Sequence, residues 1–426
     1  MLNVDDVIET ANHFRCIDMI IDYAKTLERS EEEIIKWENR IIKINNKLCD
    51  KYYLERDNYS ILVGSVGRGT AITKTSDYDV LFKLPQSLYT KFDKYESNGQ
   101  SQLLQEIKNI IKELHPKTKM KGDGQVVSIE YNDGVIELVP AFEQSDGNFK
   151  YPDSNNGGCW KVTKPLPEIE GSVKKSKNTS KTFNYLCFLM RQWKNHNGFS
   201  FKGLLIDTLV SEYLEDESYK NKTELQLLEG FFGQLSKENK EQSYWYALGS
   251  NQKIYNDDNG KFVTKAKKAL KKFDEATEES ILKDLFGYKQ SEQQATNEEF
   301  IENKFIVDIR FNLKIDCDVI QNGFRGMKLT EYIRSKFRLG RGKTLNFSVI
   351  NSNIPSYLPV NYYWKVRNVG REALGKERGQ IFLGSKKLIE HTSFNGNHYV
   401  ECYAISDGIV IARDKIKVPI DVLHGR

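Results

Sequence analysis

Asp77 and Asp79, separated by one residue in the run SDYDVLF, are the side chains of this sequence best spaced to do chemistry together. A β-strand turns alternate residues to one face, so both carboxylates point one way while Tyr78 and Val80 point the other. Carboxylates this close repel each other. That repulsion is best relieved by an oxygen-seeking divalent cation, Mg²⁺ first, with Mn²⁺ able to substitute. A pair of such ions about 4 Å apart needs a third carboxylate, and Glu137 in VIELVPAF, on a neighbouring β-rich segment, is the candidate. Upstream, Gly64 and Ser65 close another β-rich run, and Gly67, Gly69 and Thr70 extend the turn. A missing side chain lets backbone amides approach a triphosphate, to which the serine hydroxyl can donate. Glycine-serine, an eleven-residue interval, the paired aspartates and a later acidic strand occur in that order. Together they point to metal-assisted phosphoryl transfer, where catalysis is positioning plus charge stabilisation.

Those residues need a scaffold, and the surrounding pattern supplies one. Between residues 30 and 48, Ile34, Trp37, Ile41, Ile44 and Leu48 recur at three- and four-residue steps behind Ser30 and Glu33, which stand in capping-box spacing. This predicts an amphipathic helix. Strands are expected at Ile61 to Val63 and Tyr78 to Phe82, a helix near Leu103 to Leu114, and a hairpin turning at Asn132, Asp133 and Gly134. From Ser180 to Leu214 the pattern is helical again. The polar stretch from Glu215 to Glu302 keeps Leu225, Leu228, Phe231, Phe232 and Leu235 at helical intervals and reads as helices joined by solvated loops. The basic run VKKSKNTSK (Val173 to Lys181) reads as a solvated loop. Beyond Phe305, alternating runs such as FIVDIRFNLKIDCDV and HYVECYAI imply a separate β-rich domain, in which Tyr362, Tyr363 and Trp364 either stack on a base or fill a core. The expected fold class is α+β, divided into residues 1–165, 166–304 and 305–426.

A chain of 426 residues exceeds what one core usually organises. Its 63 basic and 59 acidic residues nearly cancel, so the net charge of +4 does not point to a nucleic-acid partner, and no obligate nucleic-acid activator is expected. No run approaches the roughly 20 apolar residues needed to cross a bilayer, and the amino terminus lacks a basic start, so a cytoplasmic protein without membrane insertion is expected. Cys16, Cys49, Cys159, Cys187, Cys317 and Cys402 are scattered without zinc-ligand spacing and are expected to be reduced and mostly buried.

The run GSVGRGTAITKTSDYDVLF resembles the signature of polymerase-β-like nucleotidyltransferases, and Glu137 in IELVPAF resembles their third acid, which is usually Asp. ELVPAF, followed by GGCWKVTKPLP and LCFLMRQWK, resembles the bacterial CD-NTases, relatives of oligoadenylate synthetase and cyclic GMP-AMP synthase. The likeness covers about residues 30 to 300 and implies a polymerase-β-like lobe with a mixed sheet, followed by a helical second lobe. It also implies that Arg191, two residues before Trp193, stands where the family has a triphosphate-contacting lysine, with Lys194 nearby. Lys202 and Gly203 stand where a serine is often found. The stretches YYWKVRNVGREALGKERGQIF and HTSFNGNHYVECYAISDGIVIARDKI resemble the small, sandwich-like AGS-C sensor domain.

The resemblance implies that nucleoside triphosphates are joined into a cyclic oligonucleotide that signals infection to a downstream effector protein. Two alternatives stay open. One is a synthase of linear or protein-primed oligonucleotides, and the other is a catalytically silent nucleotide sensor.

Overall fold

The computed structural model describes residues 19–274, 276–288, 298–321, 325–335, 339–340, 342–369, 378–392 and 396–420. Cys16 lies outside them. Two compact units emerge, one of residues 1–192 and 201–288, the other of residues 193–200 and 289–426.

In the first unit, helices α1 (Met19–Thr26) and α2 (Glu31–Tyr52) precede strand β1 (Ser60–Leu62), the short helix α3 (Gly64–Gly67) and strand β2 (Asp77–Lys83). Next come helices α4 (Gln86–Asp93) and α5 (Gly99–Leu114) and strands β3 (Lys119–Asp123), β4 (Val126–Tyr131), β5 (Gly134–Glu143), β6 (Phe149–Asp153) and β7 (Cys159–Thr163). The sheet order is β1-β2-β5-β4-β3, with β6 and β7 continuing from β5. Only β2 and β5 pair in parallel in this sheet. A parallel pair needs a long crossover, and α4, α5, β3 and β4 provide it.

The helix predicted from residue 30 forms because Ser30 accepts a hydrogen bond from the Glu33 amide and because its apolar stripe has a sheet to cover. Trp37, Ile41, Ile44 and Leu48 join Leu103, Leu104, Ile107 and Ile111 of α5 on one face of the sheet, over Tyr78, Val80, Phe82, Ile136 and Leu138. Trp37 stacks on Tyr78 at 3.9 Å between ring centroids, while the Tyr78 hydroxyl donates to Glu33 at 2.8 Å and accepts from Arg29 at 3.3 Å. The hairpin between β4 and β5 turns where expected, and Gly134 leaves room for the Trp37 ring, which a β-carbon there would meet at 2.9 Å.

The rest of this unit is mainly helical: α6 (Pro165–Asn178), the part of α7 (Thr182–Asn197) up to Gln192, α8 (Gly203–Tyr213), α9 (Glu224–Lys237) and α10 (Lys261–Leu270). Two expectations need correction. The basic run from Val173 is not a loop as far as Asn178 but the end of α6, where Lys175 pairs with Glu215, because a helix started by Pro165 keeps its register through lysines of good helix propensity. The stretch from Glu215 also holds a hairpin, β8 (Tyr244–Tyr246) with β9 (Lys253–Tyr255), which is too short to show a period in the sequence.

The second unit is β-rich. Strands β10 (Ile306–Val307), β11 (Leu313–Ile320), β12 (Met327–Lys328), β13 (Thr344–Ser352), β14 (Asn361–Val369), β15 (Arg378–Gly384), β16 (Lys387–His391), β17 (Gly396–Ser406) and β18 (Ile409–Ile420) form two sheets. Their orders are β10-β18-β17-β14-β15 and β12-β11-β13-β16. Trp364 is fully buried and donates its indole N–H to the Ser385 carbonyl at 2.8 Å, so it is a core residue rather than a base-stacking platform. Tyr362 is also buried. Cys49, Cys187, Cys317 and Cys402 are buried free thiols, and Cys159 is exposed.

Replacing Trp37 by Ala removes the central ring of the first unit's core. A destabilisation of about 3–5 kcal/mol is expected in urea titrations followed by circular dichroism, and a loss below about 1 kcal/mol would contradict the packing described.

Candidate active site

Strand register brings the three acids to one face. Asp77 is the partner of Val135 and Asp79 the partner of Glu137 in the parallel β2–β5 pairing. Period-two alternation buries Tyr78, Val80, Ile136 and Leu138 beneath the helices and leaves Asp77, Asp79 and Glu137 half-buried on the opposite face. Further along that face the sheet becomes apolar, with Leu81, Ala141 and Phe149 buried against Leu166 and Val63. Among the described residues, no three Asp, Glu, His or Cys side chains already close around a single point as a metal cage. The acids are a shared face of oxygen donors, a chemistry that fits a hard divalent cation.

The glycine-serine turn lies directly against this face. β1 pairs antiparallel with β2, and the Val63 amide donates to the Asp79 carbonyl at 2.9 Å. Gly64 has φ +60°, and a β-carbon placed there would sit 1.8 Å from Asp79 Oδ2. Only glycine fits between the turn and that carboxylate. Ser65 follows, half-buried, and its carbonyl receives the amides of Thr70 and Ala71 at 2.9 and 3.1 Å.

Other residues singled out in the sequence stand elsewhere. Thr70, within the turn, is fully buried: its hydroxyl donates to Asp207 Oδ2 at 2.9 Å and receives Arg191 Nη2 at 3.0 Å. Arg191 is only 5% exposed and also donates to Asp207 Oδ2 and the Gly203 carbonyl, so its guanidinium is held inside the unit rather than presented to a triphosphate. Lys194 belongs to the second unit, where it donates to Asp308 and to the Ile309 carbonyl at 2.8 Å. Lys202 donates to the Tyr255 carbonyl at 2.7 Å and pairs with Asp257 at a half-exposed position.

Asp207 and Arg68 were not singled out from the sequence, although an acid inside the apolar run LLIDTLV is a signal that a buried cation must exist. Arg68 Nε donates to Asp207 Oδ2 at 2.8 Å, and Arg191 Nη1 lies 2.7 Å from Oδ1 without hydrogen-bond alignment, an electrostatic contact. Burial opposes the charge of Asp207, but the field of Arg191, then that of Arg68, and their hydrogen bonds outweigh it and bring the carboxyl down to about 2. Burial also opposes the charge of Arg191, yet the same carboxylate holds it above its usual range. Glu168, 3.9 Å from Arg68, is pushed up by burial against the pull of Ser250 and Gln252, whose side chains donate to it at 2.9 and 2.8 Å.

A carboxyl lowered in the fold contributes stability above its unfolded value of 3.8 and loses it as pH falls toward about 2. Asp207→Asn leaves two buried guanidiniums under-compensated and should cost about 3–5 kcal/mol at pH 7. In urea titrations that gap should stay constant down to about pH 4 and narrow below it. A gap independent of pH through this window would contradict the assignment.

Comparison with known proteins places this geometry in a family. Residues 17–176 match the model of the Second Messenger Oligonucleotide or Dinucleotide Synthetase (SMODS) domain, and residues 295–421 match the Adenylyl/Guanylyl and SMODS C-terminal sensor domain. No curated protein sequence matches the chain. Among solved structures it is similar to Escherichia coli MS115-1 CdnC with ATP, at 16% identity and a TM-score of 0.48 over 64% of this chain and 98% of that one. It is also similar to the Vibrio cholerae cyclic AMP-GMP synthase DncV, at 11% identity and a TM-score of 0.47 over 62% of this chain and 92% of that one. With Elizabethkingia meningoseptica CdnE the identity is 14% and the TM-score 0.45, over 60% and 98% of the two chains. A synthetase domain that carries the acid face and the glycine-serine turn, followed by a matching sensor domain, makes this chain a nucleotidyltransferase of the CD-NTase family with a C-terminal AGS-C domain.

Proposed function

We propose that this chain joins nucleoside triphosphates into a cyclic oligonucleotide second messenger, read by a downstream effector protein in antiviral signalling of the CBASS kind, and that it works in the cytoplasm. Asp77, Asp79 and Glu137 are the residues that would hold two Mg²⁺ ions, with Mn²⁺ able to substitute. The observation that carries this reading is the parallel register that sets Asp79 beside Glu137 on the face that the Gly64 backbone approaches. The matched synthetase domain supports the product class.

Gly64 lets the backbone of the turn lie against the Asp79 carboxylate, so phosphate oxygens held by the turn stand next to the acids, and the Ser65 hydroxyl donates to one of them. An acceptor hydroxyl attacks the α-phosphorus in line; the new oxygen–phosphorus bond forms as the α–β anhydride bond breaks, and pyrophosphate leaves. A Glu137 carboxylate oxygen takes the acceptor proton. When bound, the cations neutralise phosphate charge and make the acceptor hydroxyl more acidic. Arg191, buried against the turn, and Thr70, near its end, support it instead of touching phosphate, and Lys194 and Lys202 have no assigned part in the chemistry.

Incubating the protein with all ribonucleoside triphosphates and Mg²⁺, then treating with alkaline phosphatase before mass spectrometry, tests the product. A cyclic product has no terminal phosphate and survives unchanged, whereas a linear one loses its terminal phosphates and then carries one phosphate fewer than its cyclic counterpart. Turnover that persists in the Asp77→Ala, Asp79→Ala double variant would show that the site lies elsewhere. Gly64→Ala should lower kcat/KM by at least about 100-fold with the fold retained, because a side chain displaces the turn from the acids.

A further inference from the structure

Three glycines, Gly64, Gly67 and Gly69, stand within six residues of the turn, and Gly64 and Gly69 have positive φ. Such a segment has little conformational preference of its own. Something outside it must set its shape if it is to hold phosphates at a fixed distance from the acids.

We propose that Asp207 is a positioning residue for the nucleotidyl transfer, fixing the Gly64–Ala71 turn through Arg68 and Thr70. This rests on the function proposed above. Arg68 caps α3, its amide donating to the Gly64 carbonyl at 3.1 Å while its side chain reaches Asp207 at 2.8 Å. Thr70 closes the other end: its amide donates to the Ser65 carbonyl and its hydroxyl donates to the same Asp207 oxygen. One carboxylate oxygen therefore holds two residues in the second half of the turn, four and six positions beyond Gly64. Arg191 completes the arrangement, bonding both Thr70 and Asp207. A separate contact, Asn184 to the Gly69 carbonyl at 2.8 Å, pins the crest of the turn.

The anchor on α8 is rigid because Asp207 is fully buried and its helical neighbours Ile206, Leu209 and Val210 are core residues. A change at Asp207 should shift the Ser65 carbonyl and hydroxyl relative to Asp79, and misplacement of about 1 Å is enough to weaken productive binding many-fold. The expected signature is a raised KM for the triphosphate with the metal-binding acids intact.

Thr70→Val keeps the shape of the side chain and removes the hydroxyl, whereas Thr70→Ser keeps the hydroxyl. If the anchor acts as proposed, Thr70→Val raises KM by about tenfold while kcat stays within about threefold, and Thr70→Ser restores KM to within about twofold. Asp207→Asn, if it folds, raises KM at least as much. A fall in kcat at unchanged KM, as loss of folded enzyme would give, overturns the proposal, and so does an unchanged KM. Hydrogen exchange at the Thr70 and Ala71 amides, which needs no turnover, separates this proposal from the functional one. Exchange about tenfold faster in Thr70→Val than in wild type, with the β2 amides unaffected, supports the anchor even in a preparation that converts no nucleotide. Equal exchange in the two proteins rejects it.

Discussion

The parallel pairing of β2 with β5 is the constraint on which the candidate site depends. Because side chains alternate, a slip of one residue would turn Glu137 into the helix-covered core and bring Ile136 or Leu138 out beside the aspartates. That slip is opposed by every apolar partner on the buried face, from Trp37 and Tyr78 to Ile107 and Leu138. The hydrophobic core of the first unit thus determines where the carboxylates stand, and the chemistry of the open face follows from what the closed face excludes.

Two kinds of charge coexist in this unit, and burial separates their roles. The half-buried acids of β2 and β5 lie where oxygen donors can meet solvent and cations. Asp207 lies where solvent is absent, and its charge persists only because Arg191 and Arg68 supply fields that outweigh desolvation. Arg191, which the family resemblance implies as a phosphate contact, belongs to the second kind, and it bonds the Thr70 hydroxyl. The turn is held on one side by the Asp207 ion cluster and, at Gly64, lies directly against the Asp79 carboxylate.

Much of this was legible in the residues themselves. Ser30 with the stripe from Ile34 to Leu48, the alternation around Asp77 and Asp79, and the turn at Asn132 to Gly134 are local patterns, and local patterns survive folding when the tertiary partner agrees with them. The parallel pairing that sets Glu137 beside Asp79 is non-local: it depends on the crossover through α4, α5, β3 and β4, and the sequence supplied only candidate strands. The commitments of Arg191, Lys194 and Lys202 were not legible, because their acceptors lie far along the chain or in backbone carbonyls. The single strong hint, Asp207 inside LLIDTLV, announced a buried cation without naming which one.

In the proposed reading, the carboxylates of Asp77, Asp79 and Glu137 converge on divalent cations beside the Gly64 backbone. Anomalous diffraction from crystals grown with Mn²⁺ and a non-hydrolysable nucleoside triphosphate tests it most directly. Anomalous density is expected in contact with all three carboxylates and with the triphosphate. Manganese bound elsewhere, or a Glu137 side chain turned away from an ion held by the two aspartates, would contradict it.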